Sequence, residues 1–188
     1  MSNSPTIHIT YPAWAHSYDD PGRHYETDRD KMGLAVALAR ENVLTTTGGP
    51  FGAAVFQRAS GKLVSIGMNL VLPLKNSVLH AEVVALMMAE ARLETFSLGK
   101  ESGVEHELFT SCEPCAMCLG AVHWSGVTRL VTGATKTDVE DVKFDEGPVF
   151  TDSYRYLEDR GVAVTFGVCR VEARDVLQLY AARSGTVY

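Results

Sequence analysis

The segment HELFTSCEPCAMCLGAVHWS, residues 106–125, decides how this chain folds. Its first seven residues, HELFTSC, are predicted to form a strand. Pro114 then begins a helix, because proline is favoured in the first helical turn. Cys115 and Cys118 fall at this change from strand to helix. They are three residues apart, so on a helix they are neighbours on one face.

The elements on either side of this segment extend the pattern. Apolar runs over residues 53–58 and 63–72, joined by a short turn, predict a hairpin. A helix over residues 80–93 is apolar on most sides and is therefore expected to be deeply packed. Further strands are predicted over residues 127–134 and 161–168, and further helices over about residues 28–45, 150–160 and 172–183.

Strands that alternate with helices after an initial hairpin predict one mixed sheet with helices on both faces. The expected fold is therefore α/β, a three-layer α/β/α sandwich with a mixed five-stranded sheet. Residues 1–26 are rich in aromatic and turn-forming residues and are expected to form an arm laid over the surface. Residues 27–188 are expected to form the main domain, with a last helix and a short tail.

Composition excludes several classes of protein. The 188 residues carry 17 Lys and Arg against 23 Asp and Glu, a formal net charge of −6, which argues against binding nucleic acid through bulk electrostatics. An apolar fraction of 46% excludes a disordered chain. The sequence shows no apolar run long enough to span a membrane and no signal peptide, so a cytoplasmic location is expected.

The cysteines indicate a metal site. Cys112, Cys115 and Cys118 lie within seven residues, and in a reducing compartment such spacing predicts metal binding or redox chemistry. His80 begins the other strand-to-helix turn, so the sheet can bring it to the same edge as the cysteine pair. One imidazole and two thiolates are a typical set of three protein ligands for catalytic zinc. Glu82, two residues after His80, is placed to handle a proton beside the metal.

Three alternatives remain open at this point. Cys112 could complete a closed Cys₃His zinc site with no chemistry. The CxxC pair could be a redox motif at a helix start. His80 could be an ordinary helix-start histidine, and Cys169 is expected to be a small buried apolar residue.

The sequence His80-Ala81-Glu82, followed by Pro114-Cys115-Ala116-Met117-Cys118, resembles the signature of the zinc-dependent cytidine deaminase superfamily. The resemblance covers about residues 27–188. It implies a cytidine deaminase-like fold, Zn²⁺ held by His80, Cys115 and Cys118, and Glu82 as the proton carrier.

Shorter motifs follow the zinc signature or precede it: Gly49-Pro50-Phe51-Gly52-Ala53, Asn69 in the second strand, residues 118–124 ending in Trp124, the acidic segment Phe144-Asp145-Glu146 and the terminal Tyr188. Together they resemble the bacterial guanine deaminase branch. The resemblance implies hydrolytic deamination of guanine to xanthine and ammonia by a zinc-bound hydroxide, with Glu146 as a second proton carrier. The adjacent Asp145 leaves open which of the two carboxylates does this work. The substrate-binding residues expected from these motifs are Phe51, Asn69, Trp124, Asp145 and Tyr188.

Other substrates and partners remain possible from the sequence. Ammeline, guanosine and cytosine carry comparable amines, and a tRNA adenosine deaminase shares the zinc motif but must bind a phosphate backbone. A closed structural zinc module is the non-enzymatic alternative. The resemblance also implies a homodimer in which Tyr188 covers a pocket. Exchange of the C-terminal segments would place Tyr188 over the pocket of the neighbouring subunit. Neither a membrane nor a nucleic acid is expected as a partner.

Overall fold

The computed structural model describes residues 6–99 and 103–188. Within them the chain forms one mixed sheet of five strands, in the spatial order β2-β1-β3-β4-β5. The strands are β1 (Gly52–Gln57), β2 (Leu63–Met68), β3 (His106–Cys112), β4 (Arg129–Ala134) and β5 (Ala163–Thr165). Strand β1 is antiparallel to β2 and β3, whereas β3, β4 and β5 run parallel, as the hairpin and the later strand–helix alternation predict.

Helices cover both faces of this sheet. After the 3₁₀ helix Ala13–Ser17, the described helices are α1 (Asp28–Leu44), α2 (Val71–Leu74), α3 (Ala81–Leu93), α4 (Ala116–Ser125), α5 (Lys136–Asp141), α6 (Thr151–Glu158) and α7 (Arg170–Ala182). Helices α1 and α7 pack on one face, and α3 and α4 pack on the other. The expected three-layer α/β/α sandwich is confirmed. None of the described helices is long and apolar enough to cross a bilayer.

Two apolar cores lie on the two faces, because successive strand residues point to opposite sides. In β3, Phe109 packs into the core under α1 and α7, whereas Leu108 packs into the core under α3 and α4. In β4, Val131 packs into the core under α1 and α7, and Leu130 packs into the core under α3 and α4. The strands are therefore buried on both faces, as expected of parallel strands between helix layers.

Several element boundaries differ from the prediction. Strand β2 ends at Met68 rather than at residue 72, because the Asn69 side chain accepts a hydrogen bond from Val71 N at 3.2 Å and begins a turn into α2. Helix α5 was not predicted. Its N-terminus is formed by a capping box in which Thr135 and Asp138 exchange hydrogen bonds.

The described part of the arm lies along the outer edge of β2. Leu63 N donates to Arg23 O at 2.9 Å, and Tyr25 N donates to Gly61 O at 3.0 Å. Farther along the strand, the Tyr11 hydroxyl donates to Ile66 O. The arm is thus held against the domain by backbone and side-chain hydrogen bonds. Residues 1–5 of the predicted arm lie outside the described residues.

A buried ion network ties α1 to the sheet at the end opposite to the cysteine pair. Lys31 Nζ lies 2.6 Å from Glu107 Oε1, and Arg129 NH1 lies 3.0 Å from Glu107 Oε2. The Lys31 and Glu107 side chains are almost completely buried. Arg129 also pairs with Asp28, whereas Glu107 is the carboxylate that pairs with Lys31. Removing Glu107 therefore leaves the buried charge of Lys31 without its partner.

We expect Glu107→Ala to lower the free energy of unfolding by about 3–5 kcal/mol, the usual cost of leaving a buried charge unpaired. The measurement is urea unfolding followed by circular dichroism. The control is Arg29→Gln, which breaks the exposed ion pair between Arg29 and Glu172 and should change stability little. Equal effects of the two substitutions would contradict a structural role for the buried network.

Candidate active site

The starts of two helices bring the predicted metal ligands together. His80 is the residue before α3, Cys115 is the residue before α4, and Cys118 lies in the first turn of α4. His80 Nδ1 lies 3.5 Å from Cys115 Sγ and 3.6 Å from Cys118 Sγ. The three possible ligand atoms all lie within 4.8 Å of one another. One divalent ion could therefore contact all three.

The environment favours a thiolate at Cys115. A hydrogen bond from the Cys118 thiol, with the neighbouring His80 acting in the same direction, lowers the pKa of Cys115 to about 4. That same hydrogen bond and burial raise the pKa of Cys118, so without a metal the pair retains one proton. Both groups lie at the N-terminus of α4, whose dipole stabilises negative charge.

The donor set fits catalytic zinc rather than a closed zinc site. Zinc accepts imidazole nitrogen and thiolate sulfur, and catalytic sites use three protein ligands. The fourth candidate, Cys112, is buried at the end of β3, where its Sγ lies 3.9 Å from Thr135 O. Cys112 is not part of the ligand group found among the described residues. The closed Cys₃His alternative is therefore not supported by this arrangement.

Glu82 lies beside the ligands without belonging to their group. Its side chain is buried, its Oε1 accepts a hydrogen bond from Thr110 Oγ1 at 3.1 Å, and its Oε2 lies 3.5 Å from Cys118 Sγ. Burial raises the pKa of this carboxyl, and the negative charge of Cys115 acts in the same direction. A carboxylate with a raised pKa, held next to a metal site, is suited to taking up and returning a proton.

A small closed chamber lies next to these groups. Its volume is about 30 Å³, which is space for about two water molecules. Three aromatic side chains form part of its wall: Phe144 meets Phe51 edge to face at 5.1 Å and Tyr188 at 5.3 Å. The other residues lining the chamber are His80, Cys115, Glu82, Glu113, Asp145 and Glu146.

Larger cavities lie elsewhere. One of about 690 Å³ is lined by residues 57–60 and 103–105. Another, of about 680 Å³, lies beside the C-terminal tail, between the end of α1, α2 and α7. It is lined mainly by threonine, glycine and apolar residues, with Arg183 as a cation, and by none of the ligand residues. The chemistry-bearing groups therefore belong to the small chamber, which must open to admit anything larger than water.

Glu146 and Asp145 occupy different environments. Glu146 is buried, and its backbone carbonyl accepts a hydrogen bond from Ala116 N at 3.0 Å, which ties this segment to the start of α4. Burial, followed by the charges of Cys115 and Glu82, raises the pKa of Glu146 to about 8. Asp145 is exposed, and its Oδ1 accepts a hydrogen bond from Gly147 N at 2.8 Å.

Asn69 and Tyr188 are brought close together beside the chamber. A Cβ atom placed on Gly49 would lie 2.0 Å from the Tyr188 hydroxyl and 3.3 Å from Asn69 Oδ1, so the three residues meet at one point. Asn69 is 1% exposed and does not itself line the chamber. Its Nδ2 is buried and has no hydrogen-bond partner among the described residues.

The structure does not bring Trp124 to the chamber. Its side chain is 80% exposed near the end of α4, where the ring packs against His123 with centroids 4.9 Å apart. Helix α4 begins at the chamber and runs away from it, and Trp124 lies on its outer face, whereas Val122 and Ser125 in the same turn are buried. The expected stacking of Trp124 on the substrate is therefore not supported by this chain alone.

Exchange of the C-terminal segment is also not needed to close the chamber. Helix α7 packs on α1 and β4 of its own chain through buried residues that include Val176 and Leu177. The tail then returns to the chamber, with the Tyr180 hydroxyl donating to Thr186 O at 2.7 Å. Tyr188 thus lines the chamber of the chain to which it belongs.

Two chamber residues were missed from the sequence. Phe144 was noted only as part of an acidic segment, yet it contacts both other aromatic residues of the wall. Glu113 lies between the end of β3 and the start of α4. Its Oε2 accepts a hydrogen bond from the Tyr154 hydroxyl at 3.4 Å. Its position directly before Pro114 was the available signal, because that residue must lie at the turn that carries Cys115.

Known proteins are similar to this chain in sequence and fold. Guanine deaminase from Nitrosomonas europaea, a solved structure, is 41% identical and superposes with a TM-score of 0.90 over 97% of this chain and 98% of its own. The guanine deaminase of Bacillus subtilis is 34% identical over 128 residues, 68% of this chain and 78% of that protein. A tRNA-specific adenosine deaminase of Buchnera aphidicola is 29% identical over 154 residues, 81% of this chain and 93% of that protein.

The protein-family model that describes the cytidine and deoxycytidylate deaminase zinc-binding region matches residues 25–134 of this chain. That range includes both helix starts and all three ligand residues, His80, Cys115 and Cys118. The sequence signature, the geometry of the site and the relatives agree, and the chain belongs to the cytidine and deoxycytidylate deaminase family of zinc-binding enzymes.

Proposed function

We propose that this protein is a zinc-dependent aminohydrolase that converts guanine and water to xanthine and ammonia. The observation that carries the proposal is the closed chamber, in which three aromatic side chains and two buried carboxyls, Glu82 and Glu146, surround the metal ligands. A flat amino-heterocycle requires aromatic walls, and the exchange of an amine for oxygen requires groups that move protons. The likeness to guanine deaminases supports the choice of base.

The metal site has one defined task. Zinc held by His80, Cys115 and Cys118 would acidify a water molecule and supply the nucleophile. Glu82, beside Cys118, would take a proton from the attacking water and pass it to a ring nitrogen of the base as the C2–O bond forms. The hydrogen bond from Thr110 holds Oε1 of Glu82 in place, which leaves Oε2 toward the ligands.

Glu146 is suited to the second proton transfer. Its raised pKa, about 8, keeps the carboxyl protonated at neutral pH, so it can donate a proton to the amine as the C2–N bond breaks. Asp145 is exposed and already accepts a hydrogen bond from Gly147, so it is the weaker candidate for this role. Aromatic contacts from Phe51 and Tyr188 exclude water from the base during the reaction.

The chamber argues against a polynucleotide substrate. Tyr188 and the tail cover the ligands, whereas a tRNA loop requires an open groove with cations for its phosphates. The net charge of −6 supports the same conclusion. Small bases with an amine between two ring nitrogens, such as guanine or ammeline, fit these constraints better. A cytoplasmic location remains the prediction that accompanies this function.

We expect Glu82→Gln to lower kcat for guanine at least 100-fold, because an amide cannot accept the proton. The assay measures ammonia released by the zinc-loaded protein from guanine, guanosine, ammeline, cytosine, adenine and tRNA. Turnover of another compound but not of guanine would contradict the proposed substrate but would still support hydrolytic deamination.

The control for this substitution is Glu94→Gln, an exposed residue at the end of α3, which should retain wild-type turnover. Zinc content should stay near one per chain in both variants and also in Cys112→Ser. Loss of zinc from Cys112→Ser would instead support the closed structural site, because Cys112 would then be a ligand.

The rate should depend on pH through Glu146. Its pKa is raised, so the protonated form that donates the proton is present below about pH 8 and is lost as the pH rises through that value. We expect kcat to fall above about pH 8 and Glu146→Gln to lower kcat about 100-fold or more. Asp145→Asn should lower it less than tenfold. A larger loss from Asp145→Asn than from Glu146→Gln would reverse the assignment.

We also infer a homodimer, in keeping with the sequence resemblance. The outer surface of α4 and α6 exposes large apolar side chains around a groove, which is unusual for the surface of a monomer. These side chains are Met117, Trp124, Phe150 and Tyr156. Burial of this surface by a second copy would give Trp124 a partner.

If this surface forms the dimer, Trp124→Lys should convert the protein to a monomer in sedimentation equilibrium, because a charge would be buried without a partner. Val171→Lys is the control, since Val171 is also exposed but lies on α7, which packs on the opposite face of the sheet from α4. A wild-type protein that sediments as a monomer would exclude this assembly.

A further inference from the structure

Asn42 is a polar residue in an unusual place. It lies in α1 and is fully buried, yet its side chain does not serve the helix. Its Nδ2 donates to Gly49 O at 2.9 Å and to Asn69 O at 2.8 Å, and its Oδ1 accepts from the Thr47 hydroxyl at 2.9 Å. A buried amide is costly unless it is satisfied, and here three hydrogen bonds satisfy it.

These hydrogen bonds join the loop after α1 to the end of β2. The loop packs so closely that a Cβ atom on Gly48 would lie 2.0 Å from Asn69 O and 2.5 Å from Asn42 Nδ2. A Cβ atom on the next residue, Gly49, would lie 2.0 Å from the Tyr188 hydroxyl oxygen. The backbone of Asn69, and with it the direction of the Asn69 side chain, is therefore held by Asn42.

The same connection reaches the N-terminal arm. The Thr47 hydroxyl that donates to Asn42 accepts a hydrogen bond from Trp14 Nε1 at 2.9 Å. Trp14 lies in the 3₁₀ helix of the arm and packs edge to face against Tyr18, with centroids 5.9 Å apart. A continuous series of donors and acceptors thus runs from Trp14 through Thr47 and Asn42 to Asn69.

Asn69 ends this series with a directed, unpaired donor. Its Oδ1 is occupied by Val71 N at 3.2 Å, so its orientation is fixed. Its Nδ2 is buried without a hydrogen-bond partner in the described part of the chain. A purine offers ring nitrogens and, in guanine, a carbonyl oxygen as acceptors for such a donor. Binding of the base would satisfy the orphaned group.

We propose that Trp14, Thr47 and Asn42 are positioning residues that hold Asn69 for recognition of the base, and that the arm thereby sets the affinity for substrate. The inference rests on the proposed function, in which Asn69 contacts the purine. None of the three touches the metal ligands or the proton-carrying carboxyls, so their loss should weaken binding without slowing the chemical step.

The first test replaces Thr47 by valine, which has the same shape but no hydroxyl. In the zinc-loaded protein we expect Thr47→Val to raise KM for guanine about five- to tenfold, the usual effect of one lost hydrogen bond, with kcat within about twofold. The Kd of xanthine, which has no amine to lose, should rise by the same factor. Thr47→Ser restores the hydroxyl and should restore both constants.

The second test is Trp14→Phe, which keeps an aromatic ring but removes the donor. We expect a rise in KM of about two- to threefold and unchanged kcat, because the Thr47 hydroxyl keeps its contacts with Asn42 and Thr45 and loses only the hydrogen bond from Trp14. Zinc content and melting temperature identify variants that have not folded. If Thr47→Val does not fold, the KM and kcat of Trp14→Phe alone test the inference.

The outcomes separate this inference from the proposed function. Wild-type turnover of guanine, together with unchanged KM and xanthine Kd in folded Thr47→Val and Trp14→Phe, would overturn the inference alone. A fall in kcat with constant KM would also overturn it, since that pattern indicates a disturbed catalytic site. A wild-type protein that neither turns over guanine nor binds xanthine would overturn both proposals.

Discussion

The starts of α3 and α4 lie side by side at one edge of the sheet, and the rest of the site depends on this contact. It places an imidazole and two thiols within 4.8 Å of one another. Each ligand lies immediately before a helix or in its first turn, and both helices pack on the sheet. Cys115 and Cys118 follow β3 closely, whereas α2 and a turn separate His80 from the end of β2. The site is therefore as rigid as the packing of both helices on the sheet, which suits a metal that requires a fixed number of ligands.

The second determinant is exclusion of water. Phe51, Phe144 and Tyr188 come from three distant parts of the chain and meet around a chamber that holds about two water molecules. Burial there raises the pKa values of both Glu82 and Glu146, which is how carboxyl groups become useful proton carriers near neutral pH. The same wall thus excludes solvent and adjusts the chemistry of the groups behind it.

The sequence was sufficient for the fold and the metal ligands because both depend on local signals. The apolar pattern predicted the mixed sheet, and the strand-to-helix turn predicted for the cysteine pair was found. The second strand-to-helix turn, predicted before His80, was wrong, because α2 and a turn lie between β2 and α3. The substrate residues were harder, because their placement depends on long-range packing. Trp124 carries an aromatic ring suited to stacking, but it lies on the outer face of α4 and is exposed in a single chain.

The end of β2 could not be predicted from the sequence either. The apolar neighbours of Asn69 favoured a continuing strand, and only the hydrogen bond that Asn69 Oδ1 accepts from Val71 N shows why β2 ends there. Asp138 belongs to an acidic run over residues 138–146, a pattern that usually indicates a solvent-exposed face. It is instead buried, where it caps α5 and pairs with Arg170 at 2.8 Å. Such partners, distant in sequence, cannot be assigned from spacing.

The edges of the sheet restrict how copies of this protein can associate. At one side the arm, with Tyr11 and Arg92, occupies carbonyl groups of β2 that would otherwise remain open. At the other side β5 is three residues long and offers little backbone to a neighbour. Strand addition between molecules is thereby blocked at both edges, so the sheet resists fibrous aggregation. Any larger assembly has to form through the helical layers.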